Sequence, residues 1–265
     1  MGNDLGYSWN AVAVLRRRRF LELSAAHASA LLLACDAAIE DPLPTPPDAA
    51  TLVARPHGPT ERPVTGFVEL GVPGDGFYYV PAAYTPDRPA PLLLLLHGAG
   101  GSPDDFKSLP LASLADPAGL ILLCPKSRSG TWDLSLGGFG PDVRFIDTAL
   151  AGVFRGYNIS RNRIALGGFS NGASYALSLG VYNGDLFSAL VAFSPGFYTP
   201  PGKRGSPRIF ASHGTRDPLL NNPTTPQIVP RLQSEGYSVT YRLFDGGHEL
   251  PVAVAQEAIQ WLTAA

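Results

Sequence analysis

One serine lies between two glycines at Gly168-Phe169-Ser170-Asn171-Gly172. The apolar strand Arg163-Ile164-Ala165-Leu166 precedes it, and Ala173-Ser174-Tyr175-Ala176-Leu177-Ser178-Leu179, which reads as a buried helix, follows. This is the G-x-S-x-G pattern of a sharp strand-to-helix turn, which lifts the serine hydroxyl above a sheet. Such a turn is tight enough that the flanking positions must be small. The hydroxyl stands at a helix start, whose unpaired N–H groups favour developing negative charge. A serine hydroxyl is a poor nucleophile until a base removes its proton, and the base must in turn be oriented by an acid.

Downstream of Ser170 the acids are Asp185, Asp217, Glu235, Asp245, Glu249 and Glu257, and the histidines are His213 and His248. Asp217 follows the strand Pro207 to Ser212, in the loop His213-Gly214-Thr215-Arg216-Asp217-Pro218. His248 follows the strand Tyr237 to Phe244, in Asp245-Gly246-Gly247-His248, where two glycines let the loop turn back over the sheet. Functional groups of open α/β sheets gather beyond the carboxyl ends of strands. Ser170, Asp217 and His248 all occupy such places, so the sequence predicts a triad. Asp217 before Pro218 also reads as a turn cap. His213, which leaves a strand directly, reads as structural, and Asp245 is the reserve acid.

Two more pieces belong beside the triad. The run Pro91-Leu92-Leu93-Leu94-Leu95-Leu96 reads as a central strand buried on both faces, ending in His97-Gly98-Ala99-Gly100-Gly101. The N–H groups of Ala99 and Asn171 are the expected donors to an oxyanion, a role in which one lost donor costs about 3–4 kcal/mol. His97 is expected to fix the loop. Trp132, with Phe139, Phe169, Phe197 and Tyr198, could line a substrate groove, core packing being the alternative for each except Trp132; Trp132, Phe169 and Phe197 are the candidates carried forward.

These loops need a frame, and the rest of the chain supplies one. Gly66 to Ala83 reads as an antiparallel hairpin turning at Pro73-Gly74-Asp75-Gly76. Asp142 to Phe154 is amphipathic, with Val143, Ile146, Ala149, Leu150 and Val153 on one face. Strands and helices then alternate to a last helix, Pro251 to Leu262. The pattern predicts an α/β fold: a mostly parallel central sheet flanked by helices on both faces.

Over residues 64–263 the chain resembles the α/β-hydrolase superfamily. The likeness is nearest to serine esterases of the phospholipase/carboxylesterase and polyhydroxybutyrate-depolymerase or feruloyl-esterase-like groups. The residues that carry it are Leu96 to Gly101, Phe139 to Ile146 (FGPDVRFI), GGFSNGA at 167–173 and HGTRDP at 213–218. The resemblance implies ester hydrolysis through an acyl-enzyme, with no metal or organic cofactor. Between Ser194 and Pro207 no insertion is long enough for a helical cap domain. The site is therefore expected to be open, suited to short-chain, aryl or polymeric esters. The alternatives are a peptidase or thioesterase of the same fold, or a non-catalytic surface-binding lipoprotein.

The first 35 residues read as an address. Arg16 to Arg19 with Phe20-Leu21 looks like a twin-arginine export signal, and Ala25 to Leu33 is its apolar region. Leu32-Leu33-Ala34-Cys35 resembles a lipobox, making Cys35 the expected lipidation site and membrane anchor of an exported, extracytoplasmic protein. Residues 36–63, Pro-rich around Asp41-Pro42-Leu43-Pro44-Thr45-Pro46-Pro47-Asp48, read as a tether, and 64–265 as the catalytic domain. Cys124, in a buried strand, is a small core hydrophobe. A net charge of −2 and no basic stripe outside the signal give no electrostatic basis for nucleic-acid binding. No Cys/His cluster points to zinc.

Overall fold

The computed structural model describes residues 47–61, 63–222 and 224–264. The expected export signal, Cys35 and the first part of the expected tether lie outside them. Along the chain run β1 (Gly66–Glu69), β2 (Gly76–Val80), β3 (Ala90–Leu96), α1 (Asp104–Lys107), α2 (Leu111–Ala115) and β4 (Ile121–Pro125). There follow α3 (Pro141–Gly156), β5 (Ile159–Phe169), α4 (Asn171–Tyr182) and β6 (Ala189–Phe193). β7 (Arg208–Gly214), α5 (Ile228–Ser234), β8 (Val239–Phe244) and α6 (Val252–Thr263) complete the order.

The strands form one eight-stranded sheet in the order β1-β2-β4-β3-β5-β6-β7-β8. β1 and β2 are an antiparallel hairpin, β2 pairs antiparallel with β4, and every later pairing is parallel. The leucines of β3 show why that strand is apolar throughout. Leu92, Leu94 and Leu96 enter the core on one face, while Leu93 and Leu95 enter the core on the other. Each buried leucine contributes about 1.5–3 kcal/mol relative to exposure. In α4, Asn171 is the one residue that is not buried, so this helix runs through the interior from the turn that carries Ser170.

The expected tether differs from what is observed. Ala50 and Leu52 are fully buried in the core shared with α3 and α4. Asn183, itself wholly buried, accepts from the Leu52 N–H and donates to the Ala50 carbonyl, both at 2.9 Å. Asp147 accepts from the N–H groups of Val53 and Ala54. The folded body thus includes residues 49–54, before the predicted boundary at 64. Proline content masked two apolar side chains that dock and a backbone that finds buried partners.

Between β6 and β7, residues 194–207 hold no helix and only an isolated bridge at Gly205. No cap domain covers the sheet there, as the short segment predicts.

Candidate active site

Ser170 is forced into φ 55°, a left-handed conformation rare for a residue with a side chain. Its N–H donates to the Phe193 carbonyl at 2.8 Å, which ties the turn to the end of β6. Gly168 and Gly172 allow this approach. A Cβ on Gly168 would stand 2.5–2.6 Å from the Gly172 carbonyl group and the Leu96 oxygen. One on Gly172 would overlap the Leu96 carbonyl and lie 2.5 Å from that of His97.

The three residues expected to act together are adjacent in space. His248 Nε2 lies 2.8 Å from Ser170 Oγ, and His248 Nδ1 lies 2.8 Å from Asp217 Oδ2. The Asp217 side chain is fully buried, whereas that of His248 is 28% exposed. Asp217 Oδ1 accepts from the Leu219 N–H at 2.8 Å. Asp217 therefore caps the turn at Pro218–Asn221 with one oxygen and orients the imidazole with the other. Asp245, the reserve acid, pairs instead with Arg216 on the surface.

The Ala99 N–H has no acceptor among the described residues, and neither does that of Asn171, the first residue of α4. His97 holds the Ala99 loop from beneath. Its Nε2 accepts from the Ser127 N–H at 3.1 Å and its Nδ1 faces the Gly98 carbonyl at 2.8 Å. Only the neutral ring with hydrogen on Nδ1 satisfies both, and burial lowers its pKa below the usual 6.5.

Two of the three aromatic groove candidates are placed otherwise. Trp132 is completely buried: its Nε1–H donates to the His97 carbonyl at 2.8 Å, and its ring packs between His97 and Tyr175. It braces the strand end from inside, where a substrate does not reach. Phe169 is also buried, with its ring 4.9 Å from that of His248, so it backs the imidazole. Phe197 is half-buried in the segment after β6. That segment is held by α4, because Ser174 Oγ accepts from the N–H groups of Gly196 (2.8 Å) and Phe197 (3.2 Å). Sequence reasoning passed over Ser174; its one signal was a serine, four positions after Ser170, in a helix whose other residues are mostly apolar.

Around Trp132 the loop is fixed by paired carboxylates. Asp142 accepts from the N–H groups of Arg128 and Asp133, while Asp133 accepts from the Asp142 N–H and the Tyr175 hydroxyl. Burial is the largest influence on Asp133 and raises its pKa.

His213 Nε2 lies 3.0 Å from the Pro195 carbonyl and donates to it, leaving a buried Nδ1 without a partner. Burial lowers this pKa too. Well above pH 6.5 both His97 and His213 are neutral, folded or unfolded, and neither makes stability depend on pH. As pH falls through that value the unfolded chain takes up protons that the folded state resists, so the contribution of these two groups to stability falls. Melting temperatures from about pH 8 to about pH 5 should show that decline. His213→Gln should flatten it; an unchanged slope would mean that His213 is not one of its sources.

A mostly parallel sheet in this order, with serine, acid and histidine beyond the carboxyl ends of β5, β7 and β8, is the arrangement of an α/β-hydrolase. Residues 144–265 match the phospholipase/carboxylesterase family. The putative hydrolase MhqD of Bacillus subtilis (strain 168) is 31% identical over 190 residues, which cover 64% of this chain and 91% of that protein. The chain belongs to the phospholipase/carboxylesterase family. The bifunctional acetylxylan esterase/xylanase XynS20E of Neocallimastix patriciarum is 29% identical over 182 residues. That match takes in 66% of this chain and only 24% of the larger protein. Among solved structures, the fluorophosphonate-binding serine hydrolase FphF of Staphylococcus aureus has the same fold, with a TM-score of 0.61 at 15% identity. The superposition covers 77% of this chain and 99% of FphF.

Proposed function

We propose that the protein hydrolyses carboxylic esters through Ser170, His248 and Asp217. The observation that carries this reading is the unbroken chain Asp217–His248–Ser170, with 2.8 Å at both links. Ser170 Oγ attacks the ester carbonyl while His248 Nε2 takes its proton, and Asp217 stabilises the imidazolium. The N–H groups of Ala99 and Asn171 receive the oxyanion. Collapse of the tetrahedral intermediate breaks the bond to the leaving oxygen, and His248 returns the proton to the departing alcohol. Water then repeats the sequence on the acyl-enzyme, releasing the acid and restoring Ser170. No metal or organic cofactor enters this scheme.

The uncapped approach and the half-buried Phe197 support short-chain, aryl or polymeric esters as substrates. The sequence of residues 16–35 supports export, with anchoring through Cys35. A fluorophosphonate probe added to the full-length protein should attach at Ser170 and block turnover of p-nitrophenyl esters, with acetate to butyrate favoured over palmitate. Failure to label at Ser170 would favour a binding protein. Faster cleavage of amides or thioesters would favour the peptidase or thioesterase reading. The same label followed through cell fractions tests export: labelled protein in the envelope supports it, and label confined to the cytosol overturns it.

A further inference from the structure

Two oxyanion donors on different elements are useful only if their spacing is held, and one loop touches both. From the Ala99 side, the Gly100 N–H donates to the Gly130 carbonyl at 2.8 Å, and Trp132 Nε1–H donates to the His97 carbonyl at 2.8 Å. From the Asn171 side, Thr131 Oγ1 donates to the Asn171 side-chain oxygen, and Asn171 Nδ2 donates to Ser135 Oγ, both at 2.6 Å. The Asn171 carboxamide is therefore gripped at both ends by residues 131 and 135, while its own backbone N–H has no acceptor among the described residues.

Resting on the Ser170 reading above, we propose that Gly130–Ser135 is a strut that sets the separation of the Ala99 and Asn171 donors, with Thr131 as its positioning residue. The anchorage of the strut explains why it can serve. Trp132 is completely buried in the core, and Asp133 is hydrogen-bonded to Asp142 and Tyr175. A displacement of Asn171 is thereby resisted by the interior of the protein as well as by its own helix. Oxyanion stabilisation is a matter of preorganisation, because donors must lie within about 2.7–3.1 Å of the oxygen that develops charge. The Thr131 link is partly buried and the Ser135 link exposed, so water replaces the second more readily and Thr131 should matter more.

The test compares the full-length wild type with Thr131→Val, Thr131→Ser, Ser135→Ala and Ser170→Ala on p-nitrophenyl butyrate, together with binding of a trifluoromethyl ketone transition-state analogue. Thr131→Val is expected to lower kcat about tenfold with KM within about twofold, and to weaken analogue binding in proportion. Thr131→Ser, which keeps the hydroxyl, should recover most of the loss, and Ser135→Ala should show a smaller loss of the same kind. Should Thr131→Val not fold, Ser135→Ala and Thr131→Ser decide the matter by the same readouts. An unchanged kcat, a rise confined to KM, or failure of Thr131→Ser to recover would overturn the strut. Turnover by wild type that survives Ser170→Ala would instead overturn the nucleophile assignment, and the strut with it.

Discussion

Ser170→Ala should lower kcat/KM by roughly 10⁴- to 10⁶-fold while the protein melts within a few degrees of wild type. The large effect on rate follows from the loss of the atom that forms the acyl bond; binding and the oxyanion donors supply only the residual activity. The small effect on stability follows from the hydroxyl's surroundings. Its hydrogen-bond partner at the site is His248 Nε2, on a side chain that is 28% exposed, so water can take the vacated place without leaving a buried group unpaired. Alanine keeps the strained φ of 55°, so the turn is neither relieved nor further loaded. Steady-state kinetics and a thermal melt on the same preparation check both halves. Turnover near that of wild type would remove Ser170 from the mechanism.

Gly172→Ala should act from the opposite direction, altering the identity of no triad side chain and still disabling the site. The added methyl would overlap the Leu96 carbonyl and crowd that of His97, both backbone atoms that no change of rotamer can withdraw. α4 must then move away from β3. That motion carries Ser170 and Asn171 away from Ala99, so kcat/KM should fall by at least about 100-fold. Overpacking of this kind costs about 1–3 kcal/mol, which in a domain of this size lowers the melting temperature by several degrees. Gly152→Ala in α3 is the control. Nothing nearer than 3.8 Å meets its Cβ, and alanine suits a helix better than glycine, so activity should be unchanged and stability equal or higher. Wild-type kinetics in Gly172→Ala would mean that the close approach of α4 to β3 is not required for the chemistry.

The triad could be read early because its members are tied to strand ends. Once Arg163–Leu166, Pro207–Ser212 and Tyr237–Phe244 read as parallel strands, the residues just beyond them must share one edge of the sheet. Phe169 and Trp132 were harder. A large aromatic in a Ser/Gly-rich loop suggests an exposed groove, and nothing in the local sequence shows that the Trp132 indole finds a buried acceptor at His97, 35 positions earlier. The docking of Ala50 and Leu52 was hidden in the same way, since their partner Asn183 is more than 130 positions away.

By itself, then, the sequence determined the elements, their alternation and the chemistry-bearing residues at strand ends, because periodicity and turn composition are local properties of the chain. Only the tertiary structure decided which aromatic residues are pillars and which segment before residue 64 joins the body. It also decided that Thr131 and Ser135 clamp Asn171. Those outcomes depend on hydrogen-bond partners and packing volumes brought together from distant parts of the chain, and no local pattern encodes which partner a buried polar group will meet.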